Sequence, residues 1–401
     1  MTEKAGSLRL YYEDSYLTEF EASVIEETED QGQPGVILDR TAFYPLSGGQ
    51  PWDTGVLDGT AVLRVIERDG DIVHVLEKKK GPGKVRGRID WPRRFDHMQQ
   101  HTGQHILSQA FYELLQGETR SFHLGPEIST LEIGLASISE TDLKHVEKRA
   151  NEIVWQDRVV KSYFVPEEKI ETIPLRRPPK KHGLLRIIEV EGYDYSACGG
   201  THCRRSAEIG LIKIISAEKI RGNVRFEFVC GGRALADYSS KNSEIKKIAG
   251  MFSASAAGVS GAVEKLAAGS KLLKKRIKEL GERLVSFEAA DILKEAEGGV
   301  VARVLEGRTP EEARLLAVNT ARLGQVCAVF GIMTETQGHL ICAGHESLKV
   351  NLLELAEYLK TLMPVKGGGG PTLVTLVLDD RNDTRPAVEA AAAWFKGRGS
   401  L

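Results

Sequence analysis

The chain has 401 residues, 41% of them apolar, a formal net charge of −2 and five cysteines. That length predicts two to four domains with real cores, and the near-neutral charge excludes a global field toward nucleic acid, so any such contact must rest on local basic patches. An odd cysteine count in so long a chain argues against a disulfide framework.

In chain order, the N-terminal "MTEKAGSLRLYYEDSYLTEF" has no apolar leader core, and no later run approaches the ~18 apolar residues of a membrane helix. The expectation is a cytoplasmic protein with no membrane partner. Residues 1–91 read as short strands, among them "GVILDRTAFYP" and "AVLRVIERDGDIVHVLE", with Asp-Gly turns at 58–59 and 69–70, which predicts an antiparallel β-barrel. Residues 92–236 mix helices at about 93–116 and 140–156 with strands at about 184–190, 209–216 and 224–230, an α+β domain. Residues 237–297 form a helical coiled-coil linker. Its seam runs Leu266, Leu273, Ile277, Leu280, Leu284 and Phe287, and "ASAAGVSG" at 254–261 makes a bend between two helices. The seam pairs either within the chain or across a homodimer. Residues 298–401 alternate β and α segments, a small α/β domain. The fold class is therefore α+β and multidomain.

The chemistry gathers around "CGGTHC" at 198–203. Cys198 and His202 flank a Gly-Gly turn that can fold around an ion. Far upstream, "HMQQHTGQH" puts His101 and His105 one helical turn apart on one face, and His97 on the same face is a candidate support. Three imidazoles and a thiolate suit Zn²⁺. A HExxH protease is excluded, because Thr102 stands where the general base must be. With three ligands, a water fills the fourth place; with four, the site is closed until substrate displaces one. The amides of Gly199, Gly200 and Thr201 are candidate oxyanion donors, which with the four ligands completes the expected catalytic set.

HTGQH followed by CGGTH resembles the editing domain of alanyl-tRNA synthetases and the free-standing alanyl-tRNA editing proteins of the AlaX type. "RTAFYPLSGGQPWDTG" at 40–55 resembles the glycine-rich motif of that family's N-terminal barrel, and "PVKGGGGPTLV" at 364–374 the glycine-rich loop of its C-terminal DHH-associated domain. The barrel begins the chain, so the resemblance implies the long free-standing form, with no aminoacylation domain and no use of ATP. It implies a zinc-dependent deacylase acting on tRNA(Ala) mischarged with Ser or Gly. Such a second sieve is needed because an alanine pocket discriminates against one methyl or one hydroxyl by only ~1–3 kcal/mol. The alternatives are a non-catalytic tRNA-binding protein with a structural zinc, or editing of another mischarged tRNA. A DHH phosphoesterase is excluded, since the chain offers only Asp96-His97-Met98.

The resemblance also implies site residues. "SFHLGPEISTLEIG" aligns with the amino-acid pocket segment, which makes His123, Thr130 and Glu132 candidate substrate contacts. Gly48, Gly49, Gln50 and Asp53 of the barrel motif join them; as a phosphate loop, "SGGQPWDTG" lacks the Gly-Lys-Ser/Thr ending. Basic clusters at 78–94 and 176–186 are candidate phosphate contacts, with Arg93, Arg94, Arg176, Arg177, Lys180 and Lys181 foremost. Lys366 beside "GGGG" is expected in a backbone cradle for phosphate.

Overall fold

The computed structural model describes residues 6–179 and 182–398. The chain divides into two compact units, Met1–Lys247 and Ile248–Leu401.

The first unit opens with β1 (Leu8–Arg9), β2 (Glu19–Asp30), β3 (Gln33–Leu38), β4 (Arg40–Thr41), β5 (Gly55–Leu57), β6 (Thr60–Arg68), β7 (Asp71–Leu76) and β8 (Gly83–Ile89). Apart from the short β1–β4 pair, the strands run β2-β3-β7-β6-β5-β8 and close as β8 pairs back with β2. In β8 the pattern "GKVRGRI" alternates, with Val85, Gly87 and Ile89 buried and Lys84, Arg86 and Arg88 exposed, as period-two packing requires. Asp58-Gly59 and Asp69-Gly70 make the two tight turns, with positive φ at all four residues. Phe20, Leu38, Phe43, Leu57, Val65 and Leu76 fill the interior.

Next come α1 (Trp91–Leu115), β9 (Thr119–Leu124), β10 (Ser129–Ile133), α2 (Glu140–Trp155), β11 (Val160–Pro166), β12 (Leu184–Val190), β13 (Asp194–Ala197), β14 (Ile212–Ile220) and β15 (Asn223–Cys230). The Asp90 side chain caps α1, Pro92 lies in its first turn, and Gln116 ends it in the left-handed region. Its second half packs Ile106, Leu107 and Phe111 against Leu131, Phe226 and Phe228 of the sheet β14-β15-β10-β9. Unusually for a helix, it also buries a polar set, Gln100, His101, Thr102, Gln104 and His105. Buried polar groups must find partners, and here they build the site. The strand expected at 209–216 begins later, at Ile212, because Ser206–Ile209 forms a 3₁₀ turn closed by Gly210 at φ 79°.

Helix α3 (Gly231–Met251) straddles the division between the units. The second unit continues with α4 (Val259–Ile292), β16 (Val300–Leu305), α5 (Pro310–Gly324), β17 (Cys327–Met333), β18 (Gly338–Gly344), α6 (Leu352–Leu362), β19 (Val365–Gly370), β20 (Leu373–Leu378) and α7 (Thr384–Lys396). Its sheet runs β16-β17-β18-β20-β19. One face carries α6 and α7, through Leu355, Leu359, Val388 and Phe395; the other carries α5 and the end of α4, through Leu316, Ala317, Val285 and Ala289. The rest of α4 leaves its seam bare within this unit: Leu273 is 64% and Ile277 69% exposed.

The tetraglycine run corrects an expectation. It is not a loop cradle but the edge strand β19, with Gly367 to Gly370 opposite Leu376 to Leu373. Glycine is required by close approach: a Cβ on Gly369 would lie 2.1 Å from the Leu373 carbonyl oxygen. Among the described residues, no helix is long and apolar enough to cross a membrane.

Candidate metal centre

The i,i+4 spacing on α1 brings the His101 and His105 rings to 5.3 Å between centroids. Strand β13 delivers Cys198, and the turn that follows returns His202 to within 4.4 Å of the His101 ring and 4.7 Å of His105. One ligand atom from each of the four lies within 4.8 Å of all the others, so the set could hold a metal ion. The Cys198 Sγ is 3.4 Å from Nε2 of both His101 and His202. A tetrahedral ion with thiolate and imidazole ligands requires edges of about 3.5 Å. The turn is glycine at 200 because a Cβ there would meet His101 Cε1 at 2.2 Å.

Each imidazole is held by its far nitrogen. His101 Nδ1 lies 2.8 Å from Gln50 Oε1, His105 Nδ1 3.0 Å from Asp194 Oδ2, and His202 Nδ1 3.3 Å from Thr102 Oγ1. Donation of Nδ1–H to these oxygens fixes the tautomer and leaves Nε2 as the ligand. Asp194 is itself tied down by Arg176 Nε at 2.8 Å and Ser196 Oγ at 2.9 Å. Burial works to raise the Asp194 pKa, yet Arg176 and His105 outweigh it and hold the carboxyl at about 2. Burial likewise opposes charge on His105, but its bond to Asp194 and the nearby Cys198 raise it to about 9. Burial would also raise the Cys198 thiol, and His101 and His202 turn the balance, so its pKa falls well below the ordinary value.

In the metal-free protein the charged His105–Asp194 pair therefore adds stability that is complete below the ordinary imidazole pKa and is lost as pH rises through about 9. A bound metal needs neutral imidazole. Metal uptake at pH 7 should then expel a proton from His105, read by calorimetry in buffers of different ionisation enthalpy. Uptake without proton release would show that His105 is already neutral at pH 7, and the charged pair with Asp194 would fall.

The turn amides are mostly committed. The Gly200 N–H donates to Cys198 Sγ at 3.4 Å and the Thr201 N–H to Gln50 Oε1 at 3.1 Å. That corrects the expected role of Gly200 and Thr201 as oxyanion donors; of the three amides, Gly199's alone has no protein acceptor among the described residues. Gln50 is better placed than expected. It binds His101, the Thr201 amide and, through Nε2 at 2.8 Å, the Thr201 hydroxyl. Gly49 accepts the Leu124 N–H, joining the barrel motif to β9, and Gly48 sits beside it in a turn at φ 56°.

Asp53 is not a substrate contact and Arg94 not a phosphate contact. Both side chains are 0% exposed, with Arg94 Nε 3.0 Å from each Asp53 oxygen, and Asp53 also accepts the Tyr44 N–H. Arg176 is turned inward to Asp194, with 8% side-chain exposure. Arg177 reaches the Thr119 carbonyl, and half-buried Arg93 donates to the Trp52 carbonyl at 3.1 Å. Exposed Lys366 pairs with Asp379 at 3.0 Å. Lys180 and Lys181 lie outside the described residues. His97 is buried but is not one of the four clustered ligands.

His123, Thr130 and Glu132 face the wrong way for a pocket beside the four clustered residues. Phe122, between Ser121 and His123, turns to His101 at 5.4 Å and pairs with core residue Leu131. Alternation then sends Ser121, His123, Thr130 and Glu132 to the opposite face, where Glu132 binds Ser121 and Arg225. Asp194 and Thr102 support the site through contacts the sequence pattern does not mark. A carboxylate four residues before a ligand cysteine was the only signal for the first.

Comparison with known proteins adds relationship. The family described as "Threonyl and Alanyl tRNA synthetase second additional domain" matches residues 185–226, and "tRNA synthetases class II (A)" matches 8–93. The alanyl-tRNA editing protein AlaX-L of Pyrococcus horikoshii is 28% identical over 91% of this chain and 93% of its own length. The alanine–tRNA ligases of Pyrococcus abyssi and Pyrococcus furiosus are 29% and 31% identical over 95% and 98% of this chain. The chain spans 43% of the length of each ligase.

Proposed function

We propose, from the premise that the chain belongs to the family of alanyl-tRNA synthetase-related editing proteins, that it is a zinc-dependent hydrolase of tRNA(Ala) mischarged with serine or glycine. The observation that carries the reading is the convergence of His101, His105, Cys198 and His202 with each imidazole held from behind. Borderline-soft nitrogen and sulfur donors at tetrahedral spacing fit zinc. When bound, zinc supplies Lewis acidity toward a carbonyl oxygen or lowers the pKa of a water. The chain's residues do the rest. Gln50, Asp194 and Thr102 keep the imidazoles aimed, and the Gly199 amide, which has no protein acceptor among the described residues, is the donor we place toward developing negative charge. In the reaction, water oxygen adds to the ester carbon, the bond to the ribose oxygen breaks, and that oxygen leaves with a proton as the free hydroxyl.

The partner is the charged tRNA, met in the cytoplasm. Of the basic clusters, Lys84, Arg86 and Arg88 on the outer face of β8 suit phosphate contact, since alternate residues on a strand are ~6.6 Å apart. Arg86 shares its charge with Glu19. A homodimer through α4 is part of the same reading. Replacing Leu273 and Leu280 by glutamate should give a slower-associating or monomeric species in sedimentation, and an unchanged mass would leave α4 out of assembly.

A set of four protein donors also favours a second reading, a purely structural ion. Deacylation separates the two. Zinc-loaded protein should release serine, and glycine, from tRNA(Ala) far faster than buffer does, spare the alanyl ester, and lose that activity to a chelator. Release at the buffer rate by loaded protein would leave the structural reading.

A further inference from the structure

We propose that Arg186 is the positioning residue for the Cys198–His202 half of the metal site, acting by clamping the carbonyls of the turn between them. Its Nη1 donates to the Cys198 carbonyl at 3.0 Å and to the Gly200 carbonyl at 2.8 Å. The two bonds fix the peptide planes after residues 198 and 200, and with them the directions in which Sγ and the His202 ring leave the backbone. Strand β12 adds a third tie, since the Cys198 N–H donates to the Arg186 carbonyl at 3.1 Å.

What sets Arg186 apart is its lack of an acid. Only 8% of it is exposed, and no carboxylate pairs with it among the described residues. The comparably enclosed Arg94, Arg176 and Arg233 each meet one, in Asp53, Asp194 and Asp96. A buried cation without a partner is costly. Here it is met by the two carbonyls and by the Tyr12 ring, whose centroid lies 5.2 Å from the guanidinium carbon. Its Nε has no hydrogen-bond partner among the described residues. A charge so placed that served only packing would be replaceable by an apolar side chain. Planar, multi-donor geometry is what arginine adds over lysine. Tyr12 also stands against the turn, since a Cβ on Gly199 would lie 3.4 Å from its hydroxyl.

The inference rests on the metal-binding part of the reading above, so its readout is metal affinity and not deacylation. Zinc competition against a chelator, and the absorption bands of the cobalt-substituted protein, should be compared for the parent, Arg186→Met, Arg186→Lys and Tyr12→Leu. The methionine variant should lose about 10–100-fold in zinc affinity, as loss of outer-shell partners does, with weakened or shifted cobalt bands. Lysine keeps the charge and should recover part of both, and Tyr12→Leu should fall between lysine and parent. Zinc affinity within about threefold of the parent, with unchanged cobalt bands, would overturn the proposal. Should the methionine variant not fold, the lysine variant decides by the same two readings. A parent that binds zinc but hydrolyses no ester would defeat the catalytic reading and leave the clamp standing.

Discussion

Replacing Cys198 and His202 together by alanine should empty the metal site and cost most of the proposed deacylation. Zinc per chain should fall from near one to near zero, because the two remaining donors, His101 and His105, sit on a single helix face and can close only half of a tetrahedron. Deacylation of seryl-tRNA(Ala) should drop by about two to three orders of magnitude, which corresponds to the several kcal/mol a Lewis acid supplies to a developing charge. Binding of tRNA should survive, since the exposed cations on β8 are untouched. Elemental analysis, single-turnover kinetics and filter binding on one preparation read all three. Full zinc occupancy in the double variant would sink the four-ligand assignment, and lost tRNA binding would mean that the turn itself docks the acceptor end.

Replacing Arg94 by methionine should destabilise the first unit, not weaken tRNA binding selectively. The Asp53 carboxylate would be left buried with only the Tyr44 amide to meet it, and the Ala42 and Ser15 carbonyls would lose their donor. Breaking a buried pair from one side costs about 3–5 kcal/mol, a large part of the stability of an ordinary domain. Urea denaturation should show the loss as a lower midpoint. Pairing Arg94→Met with Asp53→Leu should recover much of it, because no lone charge then remains. A variant of normal midpoint whose tRNA affinity and salt slope both fall would restore Arg94 to the phosphate track.

These two results mark where the sequence was readable and where it was not. The cluster of His101, His105, Cys198 and His202 was legible because helix periodicity and a Gly-Gly turn pair candidate ligands locally, and only the meeting of the two halves needs the fold. The alternation in β8 and the Asp-Gly turns were legible for the same reason. Arg94 misled because its partner is Asp53, forty-one residues away, and a run of basic residues looks alike whether a member points in or out. The phase of β9 was equally silent: "SFHLG" alternates either way until Phe122 finds His101, and one step of register exchanges pocket for surface. Gln50, Asp194 and Arg186 act through tertiary contacts alone, so residue type carried little sign of their roles. The tetraglycine run suggests a cradle because glycine suits both a loop and a strand pressed against its neighbour's carbonyls; the Gly369 approach decides for the strand.

The central claim is that one ion, held by these four residues, does the chemistry. The most direct measurement is the rate of seryl-tRNA(Ala) hydrolysis as zinc is added back to metal-free protein in counted equivalents. The rate should start near that of buffer, rise in proportion to metal, and level off at one equivalent per chain. Full activity before any zinc is added would contradict it.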